Sequence, residues 1–349
     1  MRVLITADPY LPVPPLGYGG IERVVALLVD ELVRRGHDVT LVAHPDSRTG
    51  ATLVPYGCPP HRGAFDRARE LAQVGAALWA RRRDIDVIHS FGRLAALAPL
   101  LPHAVPKVQS YQRAIPWSGV EKAVRLAGAS LQFTSCSVAL SAAADPGRHG
   151  TWHTVYNPVD TARFDARPAV ADDAPLVFLG RLEAIKGVGE AVAIARAANR
   201  RLVIAGNRVD SDDGRRYFDE VVAPAIDGSA VTWIGEVDDA RKNALLGTAA
   251  ALLMPIRWDE PFGIVMIEAL ACGTPVIGFA RGSVPEVIRD GETGFVCADV
   301  EAAAASVARL PRLSRTRCRR EAEDRFGVGP IVDAYERVYA AAREARAGR

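Results

Sequence analysis

Val3-Leu4-Ile5-Thr6-Ala7, then a Gly/Pro loop, then Gly17-Tyr18-Gly19-Gly20-Ile21-Glu22 opening an amphipathic run from Ile21 to Arg35, is the stretch whose reading decides the fold. A short β-rich run reads as a strand, and the amphipathic periodicity that follows reads as a helix. Gly36 predicts the helix end, because a residue without Cβ accepts the left-handed turn that closes a helix. A second β-rich run, Asp38 to Ala43, comes next. Strand, helix, strand in this order implies a parallel sheet with right-handed crossovers.

The same alternation continues outward. Short β-rich runs recur at Asp86–His89, Pro106–Ser110, Leu131–Cys136 and Thr151–Tyr156. Asn157 to Ala174 is rich in Pro, Ala and Asp, lacks periodicity, and reads as a linker between two compact units. Beyond it the alternation restarts at Leu176–Leu179, Leu202–Ala205, Val231–Ile234, Ala251–Met254 and Pro275–Gly278. The pattern from Leu313 onward is helical, broken at Gly327, Gly329 and Pro330 before a final helix from Ile331. The expected organisation is therefore one domain over residues 1–157, a second over 158–327, and a helix in 328–349 returning to the first. No internal repeat is visible.

Length agrees with two domains, since 349 residues exceed what one hydrophobic core usually fills. Lys plus Arg number 43 against 41 Asp plus Glu, a net charge of +2, which disfavours a nucleic-acid binder or a polybasic membrane anchor. Cys58, Cys136, Cys272, Cys297 and Cys318 are scattered, with no spacing that would hold a metal, and read as reduced thiols. The first apolar run is interrupted at Asp8 and Pro9, so no signal peptide is expected, nor is any stretch long enough to span a bilayer. The expected location is cytoplasmic.

In open parallel sheets, ligands bind beyond the carboxyl ends of the strands, so the loops after the strands are where chemistry is sought. Gly17-Tyr18-Gly19-Gly20 runs straight into a helix, where glycines let a backbone approach closely and a helix N-terminus favours an anion. It is either a phosphate seat or a flexible glycine-capped loop; it lacks the last glycine of a dinucleotide fingerprint, which disfavours hydride transfer. In Gly180-Arg181-Leu182-Glu183-Ala184-Ile185-Lys186-Gly187 two cations follow a strand, suited to a leaving diphosphate unless they are solvated surface charges. In Trp258-Asp259-Glu260-Pro261-Phe262-Gly263-Ile264-Val265-Met266-Ile267-Glu268 two carboxylates frame one helix N-terminus. Carboxylates accept from sugar or ribose hydroxyls, and the amides of Phe262, Gly263 and Ile264 can meet further oxygens. Glu268 sits among apolar residues, so a ribose is the partner expected to offset its burial. Thr274 and Ser283, in glycine- and proline-rich turns, read as scaffold.

These residues resemble glycosyltransferase family 4, the retaining nucleotide-sugar transferases of the GT-B fold. The resemblance rests on Gly19-Gly20-Ile21-Glu22-Arg23, Asp86-Val87-Ile88-His89, Asn157-Pro158-Val159-Asp160, the Arg181/Lys186 pair, and above all Glu260-Pro261-Phe262-Gly263 with Glu268. It implies an α/β GT-B architecture, two Rossmann-like doubly wound parallel-sheet domains facing across a cleft, with an N-terminal acceptor side and a C-terminal donor side. It also implies transfer from a nucleoside diphosphate sugar, UDP-linked, to a small-molecule or glycan acceptor, with no cofactor and no metal. Arg181 and Lys186 would hold the diphosphate, Glu268 the ribose and Glu260 the transferred sugar. Gly19 and Gly20 would close over the phosphates, with the amides of Phe262, Gly263 and Ile264 facing sugar and phosphate. His89, Tyr111 and Gln112 are expected near the acceptor or sugar. The chain departs from the family pattern at Gln112, where many members carry a histidine; an amide cannot act as a general base. That departure keeps open a non-catalytic nucleotide-sugar binder or an inactive partner subunit, and an epimerase or phosphorylase on the same fold is the other alternative. The segment Trp117 to Gly128 is read as a solvent-facing helix in preference to a peripheral membrane contact.

Overall fold

The computed structural model describes residues 1–17, 19–57, 63–142 and 149–347. Tyr18 of the glycine-rich motif, Cys58 and the last two residues of the returning helix lie outside the described residues. The chain divides into two compact units, Met1–Pro158 with Val328–Arg349, and Val159–Gly327.

The first unit is built on parallel strands β1 (Arg2–Thr6), β2 (Asp38–Ala43), β3 (Thr52–Pro55), β4 (Val87–Ser90), β5 (Lys107–Tyr111), β6 (Leu131–Ser135) and β7 (Thr151–Thr154), in the order β3-β2-β1-β4-β5-β6-β7. Val3, Leu4 and Ile5 of β1 are fully buried, as expected of a central strand covered on both faces. Its helices are α1 (Gly20–Arg34), α2 (Ala64–Arg81), α3 (Trp117–Ala127) and the short α4 (Val138–Ala142). Helix α1 buries Val24, Val25, Leu28, Val29 and Leu32 on one stripe and ends at Gly36, whose φ is +82°.

The second unit carries parallel strands β8 (Leu176–Leu179), β9 (Leu202–Ala205), β10 (Val231–Trp233), β11 (Ala251–Met254), β12 (Val276–Phe279) and β13 (Gly294–Cys297), in the order β10-β9-β8-β11-β12-β13. Its helices are α5 (Val188–Ala197), α6 (Asp212–Tyr217), α7 (Asp239–Thr248), α8 (Ile264–Ala271), α9 (Val284–Val287), α10 (Val300–Val307) and α11 (Arg315–Phe326). Its core gathers Leu176, Phe178, Ile194, Ile204, Leu253 and Phe295. The chain then returns to the first unit as α12 (Val328–Ala347).

Two expectations are corrected here. Residues 159–174 are no free tether: Val159 N–H donates to the Phe326 carbonyl at 2.7 Å, Asp165 N–H to Asn243, and Arg167 N–H to the Cys272 carbonyl, all within the second unit. Gly329 and Pro330 do not precede the last helix but lie in its first turn, where a missing N–H costs no helical bond. The described cysteines are buried and form no disulfide among the described residues, and burial pushes the Cys272 and Cys318 thiols up to about 12. Among the described residues no helix is long and apolar enough to cross a membrane.

Candidate active site

In the second sheet the strand order reverses direction between β8 and β11, which pair in parallel through Leu176–Ala251 and Val177–Leu252. Loops leaving the carboxyl ends of these two strands therefore border the crevice where such sheets bind ligands. The β8 loop is Gly180 to Gly187, and the β11 loop is Pro255 to Gly263. Arg257 N–H donates to the Ile185 carbonyl at 2.9 Å, tying one loop to the other. Gly187 has φ +78°, and a Cβ there would stand 1.9 Å from the Pro255 carbonyl oxygen, so only glycine lets the two loops come this close.

That close approach brings Lys186 and Glu260 together. Lys186 Nζ donates to Glu260 Oε2 at 2.6 Å, and Trp258 Nε1–H donates to the same oxygen at 3.0 Å. The Lys186 side chain is 19% exposed and that of Glu260 11%, so the pair is poorly solvated and strongly felt. Lys186 also stands 4.9 Å from the centroid of the Trp258 ring, a cation–π contact. Arg181 pairs with Glu183 at 2.7 Å and keeps 40% of its side chain exposed, leaving donors available to an anion.

Glu268 is placed differently from the expectation that a ribose must satisfy it. Its Oε1 accepts from Lys242 Nζ, on α7, and Lys242 also lies 3.3 Å from Asp239. The chain supplies the counter-ion itself. Lys242 was not singled out in the sequence, because a lysine in a polar helix 26 residues upstream carries no motif. Gly263 adopts φ +73° at the head of α8, which has no side-chain cap, so the helix dipole and first-turn amides remain the local electrostatic feature. The scaffold reading of Ser283 and Thr274 agrees with their contacts. Ser283 is fully buried and donates to the Phe262 carbonyl at 2.8 Å, while Thr274 donates to the Leu246 carbonyl at 2.6 Å. Gly282 packs so tightly on the β11 loop that a Cβ would stand 2.4 Å from Glu260 backbone atoms.

In the first unit the order reverses between β1 and β4. Gly19, with φ +152°, heads α1 without a side-chain cap, and a Cβ on it would meet Pro15 at 2.7 Å. Gly20 is the first residue of that helix, and Glu22 one turn in is buried, its carboxyl raised by desolvation. Tyr111 ends β5 with its ring buried and its hydroxyl lacking a hydrogen-bond partner; Gln112 follows, half-buried.

His89 does not stand in an open pocket. It is fully buried in β4, with Nδ1 2.7 Å from the Tyr339 hydroxyl and Nε2 2.6 Å from Ser110 Oγ. Burial lowers its pKa to about 3, so the ring is neutral. Tyr335 and Tyr339 of α12 flank it, which makes His89 the polar rivet between the returning helix and the sheet.

Among the described residues no three His, Cys, Asp or Glu side chains gather closely enough to hold a metal ion. The second unit's site instead offers guanidinium, ammonium and helix-head amides for an anion, with carboxylates for hydroxyls.

Comparison with known proteins agrees with this chemistry. Residues 160–325 match the family described as Glycosyl transferases group 1, and residues 18–163 match Glycosyltransferase Family 4. A glycogen synthase of Mycobacterium tuberculosis is 28% identical, the alignment covering 98% of this chain and 95% of the relative. A solved glycosyltransferase involved in avilamycin A biosynthesis is 28% identical, with 98% of both chains covered and a TM-score of 0.71. An Anabaena protein solved with UDP and glucose shares the fold at 17% identity and TM-score 0.73, covering 97% of this chain and 99% of its own. With both units matched in sequence and in architecture, the chain belongs to the family 4 type of glycosyltransferases and has the GT-B fold.

Proposed function

We propose that the enzyme transfers a glycosyl group from a nucleoside diphosphate sugar, UDP-linked, to its acceptor with retention of configuration and without a metal ion. The observation that carries this reading is the Lys186–Glu260 pair, joining the β8 loop that also carries Arg181 to the β11 loop, at the strand-order reversal of the second unit. Breaking a glycosidic bond to a diphosphate leaves negative charge on the departing oxygen and positive charge on the sugar. Preplaced cations lower that barrier because they are paid for in folding and need not reorganise during reaction. Arg181 and Lys186 supply them, and the head of α8 adds its dipole. Glu260 takes hydroxyls of the transferred sugar, and Glu268, steadied by Lys242, takes ribose hydroxyls.

UDP and glucose in the Anabaena structure support the uridine part of the proposal. Gln112 cannot take a proton and His89 is enclosed, so neither serves as a general base. The test is incubation with UDP-, dTDP-, GDP- and ADP-sugars in EDTA, following nucleoside diphosphate release with and without acceptors. Release from one donor class, lost in Arg181→Ala, is expected. Activity that appears only on adding a divalent metal would contradict the metal-free part.

A further inference from the structure

The first unit holds a cavity of about 570 Å³ that none of the donor chemistry uses. It lies between the 3₁₀ segment Leu94–Leu100 and α3, beside the carboxyl end of β5. Its wall is carbon from Leu94, Ala98, Leu101, Ala123 and Leu126, the last 60% exposed. Such a volume suits a single small molecule with most of its surface covered. No carboxylate lines it, whereas Arg93, Arg113 and Lys122 do, all exposed. Arg113 is shared with Asp8 at 2.6 Å; Lys122 has no ion-pair partner among the described residues. Tyr111 also lines the cavity, and its buried hydroxyl has no hydrogen-bond partner, which costs free energy unless a ligand supplies one.

Resting on the transferase reading above, we propose that this cavity is the acceptor subsite and that the acceptor is an anionic amphiphile. Its apolar body fills the space between Leu94, Ala98 and Leu126, its acidic group meets Arg93, Arg113 and Lys122, and its polar end reaches Tyr111 and Gln112. A concave, carbon-lined space rimmed by cations recognises one molecule at a time, which favours a discrete amphiphile over a membrane surface. Gly119 explains how α3 leaves room. It sits in the first turn of α3, and a Cβ there would find only Leu94 Cδ2 at 3.9 Å. The missing side chain therefore opens the cavity and relieves no clash.

The test uses the full chain and dodecyl phosphate below its micelle concentration, followed by calorimetry, with UDP titrated into the same samples. Saturable one-to-one binding is expected. Gly119→Phe should weaken it at least about tenfold, a loss of ~1.4 kcal/mol. Lys122→Ala should weaken dodecyl phosphate roughly threefold and leave a neutral dodecyl ethylene-glycol ether unchanged. Ala98→Phe, from the opposite wall, gives a second blocked variant should Gly119→Phe melt early. No saturable binding to the wild type, or unchanged binding in both filled variants, would overturn the proposal. So would sedimentation with phosphatidylglycerol vesicles that persists in Gly119→Phe while dodecyl phosphate fails to bind. UDP binding in these samples reports separately on the donor reading.

Discussion

Glu260 accepts from Lys186 and Trp258 through one oxygen, so it occupies the cation proposed for the diphosphate. Donor binding must loosen that ion pair. Glu260→Gln should therefore bind bare UDP as tightly as the wild type or severalfold tighter, while transfer falls by about a hundredfold, a ~2.7 kcal/mol loss of transition-state stabilisation. Calorimetry and initial rates read the two effects separately, and a loss of UDP affinity matching the loss of rate would contradict the assignment. Glu260→Ala is less informative, because it strands a mostly buried ammonium and should cost ~2 kcal/mol of stability. The motif residues of this site were legible in the sequence because loop carboxylates and cations after strands carry their chemistry in their spelling. Lys242 was not, since its meaning comes only from α7 lying beside α8. His89 misled for the same reason: its partners Tyr339 and Ser110 lie 250 and 21 residues away.

Elements that follow a regular period were readable, and those shaped by close approach were not. Strand β13 begins with Gly294 and follows Gly291, so its sequence reads as a turn. A Cβ at Gly294 would stand 2.0 Å from the Val276 carbonyl oxygen, which shows the glycine serving contact with β12 within the sheet. Strand β3 is a four-residue edge ending in Pro55, and α2 buries little beyond Glu70, Val74, Gly75 and Leu78, so neither carries a strong pattern. At this scale the Gly187 turn is the sensitive joint of the site. Gly187→Ala places a methyl against the Pro255 carbonyl and demands a positive φ of a non-glycine residue. It should lower the melting temperature and weaken UDP binding by at least about tenfold, since the displaced loop carries Lys186. Wild-type UDP affinity in that variant would mean that the joint does not position the lysine.

At the scale of the whole chain, the return of α12 to the first unit is held by Arg35, which binds Asp333, Glu336 and the Gly329 carbonyl, and by the buried His89–Tyr339 bond. His89 is neutral in the fold to about pH 3 and titrates normally, near 6.5, once unfolded. As pH falls below 6.5 the unfolded chain takes up a proton that the folded chain refuses, so stability is lost at about 1.4 kcal/mol per pH unit toward pH 3. His89→Phe should be less stable at pH 7 yet show a flatter decline between pH 6.5 and 5 in urea titrations; parallel declines would place the titration elsewhere. The alternation of strands and helices announced two parallel-sheet units, because buried parallel strands and amphipathic crossovers write themselves into the periodicity. The cavity beside α3 left no such trace, because it is made by what α3 lacks at Gly119.

The central claim is that Arg181 and Lys186 bind the diphosphate of a nucleotide sugar without a metal. Calorimetric titration of UDP into the wild type and Arg181→Ala, both in EDTA, tests it most directly. The account predicts one-site binding to the wild type and a loss of at least about a hundredfold in Arg181→Ala, ~2.7 kcal/mol, with the fold intact. Equal affinity in both proteins, or UDP binding that appears only when a divalent metal replaces the chelator, would contradict it.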